Sequence, residues 1–279
     1  MILIADSGST KTDWCLAESG REVVRLQTSG VNPFYESGED ISRKLERELL
    51  PLLPDTGVEA VFFYGAGCVP ETCGLVAHAL ASLFPSGNVE VGSDLLGAAH
   101  ALCGGDPGIA CILGTGSNSC FYDGHAIREN VSPLGFILGD EGSGAVLGKV
   151  FVGDCLKNRL PSGIRERFLE EYALTPSRIV EKVYREPFPN RFLAGLTPFL
   201  AKYLDVPEIR EIVRNGFTAF FTRNVMQYEY KRYPVHVTGS VGYYFREVLE
   251  EAARNTGVSL GRICQRPMEG LVVYRAGRN

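Results

Sequence analysis

The chain has 279 residues, 45% of them hydrophobic and 22% charged, with a formal net charge of -5. That is enough apolar material for about two domain cores, while net acidity gives no overall field for nucleic acid. Neither nucleic acid nor a membrane is expected as a partner, because no stretch approaches the ~20 uninterrupted apolar residues of a membrane helix. Met1-Ile2-Leu3-Ile4-Ala5 reaches Asp6 without the basic and long apolar regions of a secretion signal. A soluble, cytoplasmic protein is expected. The eight cysteines are scattered without a C-x-x-C pair and read as free thiols of a reducing compartment. Cys68 and Cys73 are the closest pair, and nothing beside them supplies the further ligands of a metal site.

In chain order, residues 2–5 predict a buried strand, followed by a glycine turn, a strand through Asp13–Ala17, a turn at Glu18-Ser19-Gly20 and a third strand over 22–26. Ile41, Leu45, Leu49 and Leu50 recur at helical spacing over roughly 37–50, and Pro51 and Pro54 end that helix. Strand and helix then alternate: a strand at 60–64, a helix around 70–84, a strand at 89–91 and a helix near 95–103. At Ile109–Leu113 the opening pattern recurs, with an apolar strand, a glycine-hydroxyl turn, a strand ending at Phe121-Tyr122, an Asp123-Gly124 turn and a third strand. The chain therefore reads as an internal duplication. From 140 to about 232 the pattern is mainly helical, including an amphipathic element carrying Ile209, Ile212, Val213, Phe217, Phe220 and Phe221. A strand at 235–238, the turn Gly239-Ser240, a helix over about 243–255 and a terminal segment from Pro267 complete it.

Two turns carry the chemistry. Glycine lets a phosphate approach the backbone closely, so its N–H groups and neighbouring hydroxyls can serve as donors. Asp6-Ser7-Gly8-Ser9-Thr10 has this composition, with Gly8, Ser9 and Thr10 as donors and Lys11 beside them as a counter-charge. Asp6, at a strand end, suits Mg²⁺ held directly or through water. Gly114, Thr115 and Gly116 follow the matching strand of the second half, and Thr238-Gly239-Ser240 makes a third glycine turn. Each alone is an ordinary turn; repetition after buried strands favours phosphate. Neither a Gly-x-x-x-x-Gly-Lys-Ser/Thr loop nor a helix-opening Gly-x-Gly-x-x-Gly is present. Ser117 and Asn118 offer a hydroxyl and an amide, and Asp140 can accept from two vicinal hydroxyls, the chemistry of a polyol pocket. Glu141 reads either as a helix-start acid or as a group ordering a metal's waters.

The ordered set Asp6-x-Gly8-x-Thr10, Gly114-Thr115-Gly116-Ser117-Asn118, Gly139-Asp140-Glu141-Gly142-Ser143 and Thr238-Gly239-Ser240 resembles the actin, Hsp70 and sugar-kinase superfamily. Within it the set is most similar to N-acetylglucosamine kinases of the BadF/BadG-type ATPase family. The resemblance implies an α/β fold of two RNase H-like (actin-like ATPase) domains with an interdomain cleft for ATP and a helical insertion in the second domain. Residues 1–105 would form the first domain and 106–279 the second, with the final helix packing back on the first. It further implies phosphate contacts from the turns at 6–10 and 114–117, adenosine contacts from Gly239 and Ser240, and Ala194 lining the nucleotide pocket. The family's catalytic base ends a strand before a small-residue helix, which matches Asp94 in Ser93-Asp94-Leu95-Leu96-Gly97-Ala98-Ala99; the bland alternative is a helix cap. Asn32, before Pro33, matches a sugar contact, or is a plain turn residue.

One departure concerns the sugar. Where the family's kinases carry Gly-Trp-Gly, this chain has Pro133-Leu134-Gly135-Phe136, which keeps Gly135 for the substrate but drops the aromatic. The resemblance thus implies ATP- and Mg²⁺-dependent phosphorylation of an amino sugar, N-acetylglucosamine at its 6-hydroxyl, with N-acetylmuramic acid or another sugar as the alternative. An activator ATPase would need bridging cysteines, which are not apparent, and a non-catalytic sugar sensor would have lost Asp94. The surface of the helical insertion is a candidate for a homodimer contact or a lid.

Overall fold

The computed structural model describes every residue except Ser9, Asp55, Thr56, Arg278 and Asn279. The chain forms two compact units, one made of Met1–Asp106, Asp123–Ile127 and the segment from Arg266, the other of Pro107–Tyr122 and Arg128–Gln265.

In the first unit, β1 (Ile2–Ser7), β2 (Lys11–Glu18) and β3 (Arg21–Ser29) form an antiparallel meander. They are followed by α1 (Gly38–Glu48), β4 (Ala60–Gly65), α2 (Cys73–Leu83), β5 (Asn88–Ser93) and α3 (Asp94–Cys103). The sheet order is β3-β2-β1-β4-β5, with β4 parallel to β1 and to β5. Both faces of β1 are covered, so its side chains are apolar at every position up to Ala5. Leu3 and Ala5 join Trp14, Leu16 and Phe63 in the core under α1 and α2, while Ile2 and Ile4 join Phe62, Tyr64 and Ala101 on the opposite face. Ser37 caps α1 by accepting from the Asp40 N–H, and Ile41 and Leu45 turn its apolar stripe inward.

The second unit repeats the plan. Its strands are β6 (Gly108–Leu113), β7 (Ser117–Tyr122) and β8 (Ile127–Val131), then β9 (Val235–Thr238) and β10 (Leu260–Cys264), in the order β10-β9-β6-β7-β8. β6 is antiparallel to β7 and parallel to β9, as β1 is to β2 and β4. Between β8 and β9 lie α4 (Gly135–Leu138), α5 (Gly144–Leu156), α6 (Ile164–Glu171), α7 (Pro176–Tyr184), α8 (Pro189–Ala194), α9 (Thr197–Lys202) and α10 (Pro207–Arg223). These form the helical insertion, and α10 buries the predicted stripe from Ile209 to Phe221. After β9, α11 (Ser240–Tyr244) and α12 (Arg246–Thr256) replace the single helix read over 243–255; the break falls at buried Phe245.

β10 was not anticipated, because Leu-Gly-Arg-Ile-Cys is a short edge strand without clean alternation, and its register shifts between Leu260 and Ile263. The last helix, α13 (Met268–Ala276), lies in the first unit and rides on α3, where a Cβ on Gly270 would come 2.3 Å from the Ala101 carbonyl oxygen. Trp14 belongs to the core: it is fully buried and its Nε1 donates to Thr28 Oγ1 at 2.9 Å. All eight cysteines are free thiols, six of them buried. No helix among the described residues is long and apolar enough to cross a membrane.

Candidate active site

In the first unit, β1 and β2 deliver the 6–11 turn. The Gly8 N–H donates to the Lys11 carbonyl at 3.0 Å and the Gly30 N–H to the Thr10 carbonyl at 3.1 Å. Gly30 has to be glycine, because a Cβ there would lie 2.5 Å from the Gly8 carbonyl oxygen. Below the turn, buried Ser7 shares a 2.8 Å hydrogen bond with Thr12 and donates to the Val31 carbonyl, tying the turn to the segment that leads to Asn32. Thr10 is exposed, and Ser9, a predicted phosphate donor, lies outside the described residues.

Asp6 sits one rung from the end of β1, in register with Asp13 on β2 and Tyr64 on β4. Burial, then the charges of Asp94 and Asp13, push its carboxyl up to about 7, against the opposing pull of Lys11 and Arg266. Asp13 is buried and held by Gln27 Nε2 at 2.6 Å and Lys11 Nζ at 3.2 Å, with Arg266 at 4.0 Å. Lys11 therefore reaches a carboxylate here. Sequence reading missed Asp13 and Arg266; a lone acid inside the apolar run of β2 was the available signal.

These carboxylates fit a hard divalent cation, since Asp6 carries repulsion that a cation would relieve. No group of three His, Cys, Asp or Glu among the described residues could hold a metal by itself. Mg²⁺ here would take Asp6 and complete its shell with water and phosphate oxygens, its usual habit.

Asp94 is the first residue of α3. Ser93 is the cap: its backbone is extended and its Oγ accepts from the Leu96 N–H at 3.1 Å. Asp94 is thus free of the capping role, although its own Oδ1 accepts from the Leu95 N–H at 2.8 Å. Burial raises its carboxyl above the ordinary range, and backbone N–H donors at Leu95 and Asp94 itself oppose that rise. Asn32 makes the turn that its Asn-Pro context suggested, with Oδ1 accepting from the Phe34 N–H at 3.0 Å. Its Nδ2 remains as a donor, and Gly67 packs directly on the side chain.

In the second unit the turn Gly114-Thr115-Gly116 rests on the start of α5. The Gly144 and Ala145 N–H groups donate to the Gly114 and Thr115 carbonyls at 2.8 and 3.1 Å, while Ser143 Oγ caps the helix. A Cβ on Gly144 would meet Ala194 Cβ at 3.1 Å, so Ala194 stands beside the Gly114 turn. Gly239, at φ +116°, lies so near that a Cβ would come 2.3 Å from the Leu113 carbonyl oxygen. Ser240 then joins Thr197, Pro198, Ala201, Val241, Tyr244 and Phe245 around a pocket of about 430 Å³. The residues of α9 were missed, since Thr-Pro reads only as a helix start.

Asp140 lies at φ +52° beside the same turn, with an Oδ2 that a Cβ on Gly116 would approach to 3.1 Å. Burial pushes its carboxyl up to about 6, while a hydrogen bond from the Ser117 backbone pulls the other way. Asn118 Oδ1 accepts from the Ser119 N–H and from Asn130 Nδ2, each at 2.9 Å; Asn130 was not foreseen. Gly135 and Leu134 are both left-handed, and Leu134 is 61% exposed. Glu141 instead pairs with Arg223 at 2.7 Å and accepts from Asn224, so it serves the end of α10.

No protein-family model and no curated protein matches the sequence. Among solved structures, a Porphyromonas gingivalis protein provisionally named an N-acetylglucosamine kinase is 52% identical, with 99% of each chain covered and a TM-score of 0.98. A Chromobacterium violaceum protein of the same provisional name has 18% identity, a TM-score of 0.73 and coverage of 98% of this chain and 99% of that one. A ROK-family glucokinase from Streptomyces griseus, solved with glucose and AMPPNP, has 15% identity, a TM-score of 0.58 and coverage of 98% and 97%. The latter two are likenesses of fold; the first is close in sequence over the full length. Its likeness, on a chain with two sheets of the same topology and glycine turns at matching strand ends, settles the relationship: the chain belongs to the N-acetylglucosamine kinase-like family of sugar kinases, with the two-domain actin-like ATPase fold.

Proposed function

We propose that the protein transfers the γ-phosphoryl group of ATP to the 6-hydroxyl of an N-acetylated hexosamine, N-acetylglucosamine before others, as a cytoplasmic enzyme. The observation that carries this reading is Asp94: Ser93 takes the cap of α3 and leaves a carboxylate, in Coulombic reach of Asp6, without a capping duty. In this reading Asp94 accepts the hydroxyl proton as the new O–P bond forms and the bond to the ADP oxygen breaks. Phosphoryl transfer needs mainly alignment and charge stabilisation. Backbone donors at Thr10, Thr115 and Gly116, with Lys11, would hold the phosphates; the Gly8 and Gly114 N–H groups close their own turns, onto the Lys11 and Gly116 carbonyls at 3.0 Å each, so these two glycines would serve by letting the phosphates approach the backbone. Gly239, Ser240 and Ala194 would hold the adenosine. Asn32 Nδ2, Ser117, Asn118, the Gly135 backbone and Asp140 would hold the sugar. Bound Mg²⁺ at Asp6 would supply neutralisation of phosphate charge.

Leu134, exposed where related kinases place tryptophan, favours a second reading in which N-acetylmuramic acid or another sugar is the better substrate. ADP release measured with N-acetylglucosamine, N-acetylmuramic acid, glucose and no sugar separates these. The expected outcome is sugar-dependent turnover that Asp94→Asn lowers by about 10²–10⁴-fold, the usual share of a general base. Hydrolysis independent of sugar would overturn the kinase reading and support an ATPase.

A further inference from the structure

Arg275, in the last turn of the last helix, is an arginine that sequence alone would leave in solvent, yet its side chain is only 11% exposed. A buried guanidinium is costly unless its donors are met. Here Nη1 pairs with Glu90 of β5 at 2.9 Å, Nε donates to Tyr64 Oη of β4 at 2.9 Å, and the guanidinium carbon lies 3.8 Å from the centre of the Phe62 ring. Tyr64 Oη also shares a 2.9 Å hydrogen bond with Nδ1 of buried His100 on α3, and the His100 ring stacks on Tyr274 of α13 at 4.1 Å.

The groups gathered by this side chain, directly or through Tyr64, bracket Asp94 in the sequence. Glu90 stands four residues before it on the strand that delivers it, and His100 six residues after it on the helix it begins. Tyr64 is in register with Gly92, two residues before Asp94. The Tyr64 ring is also the floor of α3, since a Cβ on Gly97 would come 2.8 Å from Tyr64 Cβ. From above, Gly270 brings α13 onto the Ala101 carbonyl. The middle of β5, the end of β4, the last turn of α3 and the terminal helix are therefore fastened to one another at Tyr64 and Arg275, all within the first unit.

We infer that Arg275, acting through Tyr64 and Glu90, is a positioning residue that sets the carboxylate of Asp94 for proton transfer. The inference rests on the reading of Asp94 as the base. It touches neither phosphate nor sugar in that reading, so its loss should lower kcat and spare KM. A small displacement of a catalytic group can cost up to about 10²-fold.

The test is a double-mutant cycle on the full chain with the sugar that gives the highest turnover in the ADP-release assay, each variant checked for folding by circular dichroism and thermal unfolding. Arg275→Gln should lower kcat by about tenfold, with KM for ATP and sugar within about twofold. In an Asp94→Asn background it should change the residual rate by less than about twofold, because there is no base left to position. Should Arg275→Gln not fold, Tyr64→Phe removes only the oxygen that receives the guanidinium and should show the same pattern at about threefold. An unchanged kcat in these variants, or an equal fall in the Asp94→Asn background, overturns the inference. Full turnover by Asp94→Asn alone would instead remove the base reading, and the positioning role with it.

Discussion

Asp6 has to ionise in a place that resists a second and third negative charge. Its carboxyl stands at about 7 in the folded chain, against about 3.9 for an unfolded aspartate. Between those values the folded state holds a proton that the unfolded state has lost, so stability falls as pH rises from about 4 to about 7. Urea unfolding across that range, without nucleotide or divalent ions, should show this decline, and Asp6→Asn should flatten it. A slope unchanged by the substitution would show that Asp6 is not the group responsible. Residue identity made Asp6 and Asp140 legible in the sequence, as acids beside glycine turns. What separates Asp140 from Glu141 was not legible: Glu141 finds Arg223 and Asn224 on α10, and only the folded chain brings them near.

At the scale of elements, the two glycine classes in the second unit make different demands. Gly239 has φ +116° and no room for a Cβ. Gly239→Ala should therefore cost at least about 1–3 kcal/mol of stability in thermal or urea unfolding. Gly114 has nothing within 4 Å of a built Cβ, so Gly114→Ala should leave stability within about 0.5 kcal/mol. If this turn meets phosphate, the same substitution should weaken ATP binding by about tenfold or more in calorimetry, as a side chain blocks close approach. Unchanged affinity would argue that the turn is only a turn. The helices with strong apolar periodicity, α1 and α10, were legible because burial and period agree. β10 and the break before α12 were not, since each depends on a neighbour: β9 for the edge strand, and the core around Phe245 for the break.

Over the whole molecule, the repeated turns of the sequence correspond to two sheets with one topology, each placing a glycine turn after its first strand. The duplication was readable because the order of strand, turn and strand survives divergence of the residues themselves. The return of α13 to the first unit carried only a weak signal, since its role lies in what Arg275, Tyr274 and Gly270 touch. The account stands on phosphoryl transfer to a sugar hydroxyl, and the product tests it most directly. After incubation with ATP, Mg²⁺ and N-acetylglucosamine, phosphorus–proton correlation NMR should show a phosphomonoester coupled to the protons at carbon 6, absent with Asp94→Asn. Inorganic phosphate as the sole product, with every sugar tried, would contradict it.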